Sequence, residues 1–241
     1  MMRLGNHVTN YIMEGLFEDW RKYLIESDNL FPHQLYVDLD GVLVDFEGGA
    51  VSAINKDLKN PSLVSPDIKS QRDYKKMVSA LESVGRDLEI TVDDFDKNNE
   101  NNVKEVRNYM YRRLQNDLKF WEDLEWMGDG KELWEHVKNF DPPPIILTAP
   151  MKGEGSHEGK LKWVAKNLGL PVERVILSHN KWQHAVAESG AQNVLIDDTY
   201  AKVQPWVDEG GIGIQHIDAD NSIEELNIIK KNSDAPEEPL E

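Results

Sequence analysis

Apolar residues fall in two kinds of run along this chain. Short unbroken stretches, Leu35–Val37, Ile145–Leu147, Val175–Leu177 and Val194–Ile196, are bounded by polar or turn residues. Such runs read as strands buried on both faces of a parallel sheet. A weaker run at Gly213–Ile217 looks like a last strand. Between them apolar residues recur at helical spacing. Residues 9–26 carry Ile12, Leu16, Trp20, Tyr23 and Leu24; 67–84 carry Ile68, Tyr74, Met77, Val78 and Leu81; 103–118 carry Val103, Val106, Met110, Leu114 and Leu118. Further helices follow through Leu133, Trp134, Val137 and Phe140, through Leu161, Trp163, Val164 and Leu168, and from Tyr200 to Val207. Ser222-Ile223-Glu224-Glu225 has the form of a capping box opening a terminal helix. Strands alternating with helices predict an α/β fold with a doubly wound, Rossmann-like parallel sheet.

The first strand ends in the stretch that organises the rest: Asp38-Leu39-Asp40-Gly41-Val42-Leu43-Val44-Asp45-Phe46. Open α/β sheets bind ligands at the carboxyl ends of their strands. Asp38 and Asp40, two apart, can face one ligand, and Gly41 lets the chain turn away. Close carboxylates repel, and an all-oxygen donor set favours Mg²⁺. Taken alone, Asp-x-Asp-Gly is equally a strand followed by an Asp-Gly turn.

Taken from Asp38 to Gly49, the segment resembles the first motif of the haloacid dehalogenase-like phosphatases. The Asp45-Phe46-Glu47-Gly48-Gly49 extension is similar to the 5'(3')-deoxyribonucleotidase branch. That resemblance implies Asp38 as nucleophile and Asp40 as general acid/base. It also orders the other strand ends. Thr148 matches the hydroxyl residue that bonds the phosphoryl oxygens, and Ala149 departs from the branch's Thr-Ser-Pro by losing a hydroxyl. Lys152 falls where the branch places a phosphate-contacting lysine. Lys181 matches the lysine that neutralises nucleophile and phosphate. Asp197 and Asp198 complete the Mg²⁺ site with Asp38 and Asp40, Asp198 being favoured as the direct ligand. Phe46 matches a residue that packs on the substrate base. Phe120-Trp121-Glu122-Asp123-Leu124 is similar to the same branch; paired aromatics read first as core packing, with base stacking by Trp121 as the lesser reading.

The domain plan that follows places an N-terminal amphipathic helix in 1–33, the α/β core in 34–46 and 126–232, a helical cap in 47–125 after the first strand, and an acidic disordered tail in 233–241. Gly153–His157 reads as a flexible loop with His157 and Lys160 as solvated neighbours of the site. Asp94, Asp96, Asn98 and Glu105 fit positions one, three, five and twelve of a calcium loop. Asn99 at position six and Asn101 at position eight favour a solvated Asp/Asn-rich loop instead.

Composition narrows the partners. The 241 residues carry 27 Lys and Arg against 44 Asp and Glu, a net charge of −17. This opposes a nucleic-acid polymer or an anionic membrane as partner and leaves a small phosphomonoester, provided cations reverse the field inside the site. The chain has no cysteine, no apolar stretch near the ~20 residues of a membrane span, and an N-terminus interrupted by Glu14, Glu18, Asp19 and Arg21. A cytoplasmic enzyme is the expectation, with a homodimer through the first helix as an option. The expected activity is Mg²⁺-dependent hydrolysis of a deoxynucleoside monophosphate through an aspartyl-phosphate. The alternatives are another small phosphate ester, such as a sugar phosphate or a nucleic-acid end, or a non-catalytic phosphate- or partner-binding module.

Overall fold

The computed structural model describes residues 29–96 and 103–233. The expected helix at 9–26 and the acidic tail beyond 233 lie outside the described residues. Five strands, β1 (Leu35–Val37), β2 (Ile145–Thr148), β3 (Val175–Leu177), β4 (Val194–Asp197) and β5 (Ile212–Gln215), form one all-parallel sheet in the order β3-β2-β1-β4-β5. The helices are α1 (Phe46–Lys59), α2 (Ile68–Ser83), α3 (Lys104–Leu114), α4 (Leu118–Glu122), α5 (Gly130–Val137), α6 (Glu154–Leu168), α7 (Tyr200–Asp208) and α8 (Ala219–Ser233). No helix among the described residues is long and apolar enough to cross a membrane.

The strand pleat sorts the core into two faces. Leu35, Val37, Ile146, Val194 and Ile196 join Leu133, Trp134, Val137, Trp163, Val164 and Leu226 in one cluster, so α5, α6 and α8 cover that face. The alternate residues Tyr36, Leu147 and Leu195 pack with Trp206 of α7 and Ala185 on the other. The sheet is therefore doubly wound, as the unbroken apolar strands required. β1 sits centrally, with the chain moving outward to β2 and β3 before crossing back to β4. The switch in direction opens a crevice beside the carboxyl ends of β1 and β4.

A separate apolar cluster is built only from residues 50–114, including Ile54, Leu58, Met77, Leu81, Val106, Tyr109 and Leu114. It gives the inserted helices a core of their own. The chain leaves the sheet and returns beside itself: Val44 bridges Trp126, and Asp45 and Met127 exchange backbone bonds with Glu125 and Leu43. Trp121 and Leu124, at the end of the insertion, pack into the main core, where α4 lies on α6.

Two local expectations are corrected. The terminal helix starts at Ala219, with Asp218 accepting the Asn221 amide at 2.8 Å, and the expected cap residue Ser222 is buried inside it. Ser222 instead shares a 2.9 Å hydrogen bond with His216. The strand expected at 213–217 runs over Ile212–Gln215. In the Asp/Asn-rich segment, Asp94 is buried, pairs with Arg86 through both carboxylate oxygens and accepts the Thr91 amide. Asp94 is therefore neither a solvated loop residue nor available to serve as the first position of a calcium loop, and positions five, six and eight of that loop lie outside the described residues.

Candidate active site

Parallel pairing brings the distant acids together. Val37 is level with Ile196, and the Asp38 amide donates to the Ile196 carbonyl at 2.9 Å, so Asp38 and Asp197 leave neighbouring strands side by side. One carboxylate oxygen from each of Asp38, Asp197 and Asp198 lies within 4.8 Å of the other two. Lys181 enters from the one-turn 3₁₀ helix Lys181–His184 that follows β3. Its buried Nζ stands 2.8 Å from Asp38 Oδ1 and 2.5 Å from Asp197 Oδ2. Burial alone would lower the Lys181 pKa, but Asp38 and Asp197 outweigh it and hold the ammonium charged.

Asp197 spends both oxygens on protein donors, Oδ2 on Lys181 and Oδ1 on the Thr199 amide at 2.9 Å. Desolvation and the Asp38 charge raise its pKa. Asp198, one residue past β4, lines the cleft beside them, with the Thr199 hydroxyl at 3.3 Å from its Oδ1. Desolvation in the cleft, then Asp38 and Asp197, push its pKa up to about 7. Gly41 holds φ +77°, and a Cβ there would sit 2.4 Å from Asp198 Oδ2. Only glycine lets the turn pass this close to Asp198.

Asp40 has a different partner. Lys160 Nζ lies 2.5 Å from Asp40 Oδ2 and 2.9 Å from Thr148 Oγ1, and Lys160 is 1% exposed. Burial raises the Asp40 pKa, with Asp38 adding to it and Lys160 opposing it. Asp40 Oδ1 is buried and has no protein partner. The expected loop at 153–157 is corrected here: Glu154–His157 is the first turn of α6. Buried Ser156, Gly159, Lys160, Trp163 and Val164 form one stripe of that helix. Close seating on α4 makes this possible, since a Cβ at Gly159 would meet Trp121 Cβ at 2.3 Å. Lys160 is therefore part of the site, not a solvated neighbour. The signal for it was a lysine at a core position of a helical stripe.

A cleft of 410 Å³ opens over these groups, lined by Asp38, Asp40, Gly41, Lys181 and Asp198, with Phe46, Glu47, Val92, Met127 and Ala149 around the remainder and Thr199 and Lys202 on the α7 side. Asp45 caps α1 by accepting the Gly48 amide at 2.9 Å, which sets Phe46 and Glu47 over the strand ends. Phe46 stacks on Trp121 with centroids 5.2 Å apart and planes at 10°. Trp121 is buried and donates its indole N–H to the Leu114 carbonyl at 2.8 Å, a core role. Thr148 is buried beneath the cleft, while Lys152 is exposed and outside its lining.

No protein-family model matches the chain, and no curated protein matches it. Among solved structures it is similar to a haloacid dehalogenase-like family hydrolase from Xanthomonas campestris, with 13% identity, 83% of this chain and 97% of that chain covered, and a TM-score of 0.48. A hydrolase from Streptococcus pneumoniae TIGR4 is 13% identical over 81% and 98% of the two chains, with a TM-score of 0.44. A HAD family hydrolase from Deinococcus radiodurans R1, solved with bound phosphate and sodium, is 13% identical over 81% and 87%, with a TM-score of 0.43.

The donor chemistry of Asp38, Asp197 and Asp198 fits a hard divalent cation. Three carboxylates converge, two of them with raised pKa values that a cation would relieve.

Proposed function

We propose that this chain is a phosphomonoester hydrolase of the haloacid dehalogenase-like type, working through an aspartyl-phosphate on Asp38. The observation that carries the reading is the division of labour between two aspartates two residues apart. Asp38 pairs with the Lys181 ammonium at 2.8 Å, and Asp40 is held by Lys160, itself steadied by Thr148, in surroundings that favour its neutral form.

In the first half-reaction an Asp38 carboxylate oxygen attacks phosphorus and the ester P–O bond breaks. Asp40 delivers its proton to the departing alkoxide, which leaves as the alcohol. Lys181 offsets the repulsion between the Asp38 carboxylate and the phosphate dianion. In the second half-reaction Asp40, now a carboxylate, takes a proton from water as its oxygen attacks phosphorus. The acyl-phosphate bond then breaks, returning Asp38 and releasing orthophosphate. Asp38, Asp198, Asp197 and the Asp40 carbonyl would hold a Mg²⁺, which when bound would supply Lewis-acid stabilisation of phosphoryl charge. Because Asp197 already serves Lys181 and Thr199, Asp198 is the more available direct ligand.

For the substrate, the motif at 38–49 supports a deoxynucleoside monophosphate, with Phe46 on the cleft wall as the residue facing the nucleoside. The test is orthophosphate release from deoxy- and ribonucleoside monophosphates, sugar phosphates and an aryl phosphate, with Mg²⁺ and with EDTA. Metal-dependent release favouring deoxynucleotides is expected. Release favouring another ester removes the nucleotide assignment, and no release from any of them contradicts the hydrolase reading.

A further inference from the structure

The cations near the phosphoryl end are largely committed to carboxylates. Lys181 is shared between Asp38 and Asp197, and Lys160 lies beneath the cleft on Asp40 and Thr148. Ala149 brings no hydroxyl to the cleft wall, and Lys152 lies outside it. The lining holds five acids, Asp38, Asp40, Asp45, Glu47 and Asp198, against the two lysines Lys181 and Lys202. Before a metal is bound these acids outnumber the lining lysines, and with Lys181 shared between two carboxylates a phosphate dianion gains from any further lysine on the wall.

Lys202 is the exception. It is half-buried on the α7 wall, and its Nζ donates to the His179 carbonyl at 3.1 Å. Among the described residues no carboxylate lies within ion-pairing distance of it, so it is the lining cation with its charge uncompensated. Its position is also unfavourable for the helix alone. Lys202 is in the first turn of α7, which has no acidic residue of its own, and a cation there opposes the helix dipole. The cost is repaid if an anion sits in front of it. Asp198, four residues back, brackets the same end of the cleft.

We infer that Lys202 is a substrate-binding residue that contacts the phosphoryl oxygens from the α7 side, supplying the positive charge that Lys152, outside the lining, does not bring there. This rests on the phosphomonoesterase reading for the identity of the anion. The His179 carbonyl takes one donor of this lining ammonium and leaves two for an anion. A charge-assisted contact of this kind is worth roughly ten- to a hundredfold in affinity.

The experiment is calorimetric titration of inorganic phosphate into wild-type protein, Lys202→Met and Lys202→Arg at saturating Mg²⁺, with melting temperatures taken in parallel. Expected are phosphate affinity about ten- to a hundredfold weaker in Lys202→Met, substantial recovery in Lys202→Arg, and an unchanged melting temperature without phosphate. Unaltered phosphate affinity in Lys202→Met overturns the inference, and so does a lowered melting temperature with unaltered affinity, which marks a tie between α7 and His179 only. Wild-type protein that binds phosphate through Lys202 yet hydrolyses no ester leaves Lys202 standing and removes the hydrolase reading instead.

Discussion

Replacing Lys160 by Met probes the arrangement most sharply, because it removes one charge and nearly preserves the volume of a 1%-exposed side chain. Breaking a fully buried ion pair costs about 3–5 kcal/mol. The Asp40 side chain keeps 26% exposure toward the cleft and can take up a proton, so a stability loss of about 1–3 kcal/mol is expected. The kinetic consequence has a definite sign. Burial already raises the Asp40 pKa and Lys160 restrains the rise. Losing the charge-assisted hydrogen bond of Lys160, worth about 1.5–3 kcal/mol, moves that pKa further up. Hydrolysis of the aspartyl-phosphate needs the Asp40 carboxylate, so the acid limb of kcat moves to higher pH. An aryl phosphate is the right substrate, since its leaving group needs little help from an acid and dephosphorylation then limits turnover. At neutral pH a burst of aryl alcohol followed by a slower steady state is expected. An acid limb and kcat identical to wild type would refute the role given to Lys160.

Three other perturbations test separate parts of the account. Gly41→Ala forces a left-handed φ on a residue with a Cβ and drives it against Asp198; a loss of ~1–2 kcal/mol in urea melts and weaker Mg²⁺ binding are expected, and unchanged Mg²⁺ affinity would contradict the contact. Gly159→Ala puts a Cβ 2.3 Å from Trp121 Cβ; overpacking of about 1–3 kcal/mol is expected in thermal melts, with kcat falling as Lys160 is displaced. The raised pKa values of Asp197 and Asp198 mean that the native metal-free site binds protons more tightly than the unfolded chain. Their contribution to stability is present at low pH and is lost as pH rises from the ordinary aspartate value of 3.8 to about 7. The increase in melting temperature on adding Mg²⁺ is therefore larger at pH 7.5 than at pH 5.5, and an equal or smaller increase would show that these carboxylates do not face the cation.

What the sequence revealed and what it hid follow from the range of the interactions. The strands were legible because Leu35–Val37, Ile146–Leu147 and Val194–Ile196 are buried on both faces and leave an unbroken apolar run. The ends of β1, β2 and β4 then pointed to Asp38, Thr148 and Asp197. That one of Asp197 and Asp198 would orient Lys181 and the other face a metal was readable from their adjacency, but the meeting of both with Asp38 depends on parallel pairing of β1 with β4 across more than a hundred residues. Lys160 was obscured by Gly153 and Gly155, which read as loop residues. They are there because α6 and the turn before it pass within contact of Gln115 and Asn116, where a Cβ would not fit. The same reading overlooked α1, whose Gly48 and Gly49 lower its helical propensity; Asp45 offsets this by capping it, and Leu124 and Asp45 occupy the space a Cβ would need.

The central claim is that Asp38 becomes phosphorylated during turnover. The most direct measurement mixes enzyme, Mg²⁺ and substrate, quenches with acid within the first turnover, reduces with borohydride and maps the peptides by mass spectrometry. Conversion of Asp38 to homoserine, absent from Asp38→Asn protein and from samples without substrate, is the predicted result. Orthophosphate release with Asp38 unmodified at every quench time, or full turnover by Asp38→Asn, would contradict it.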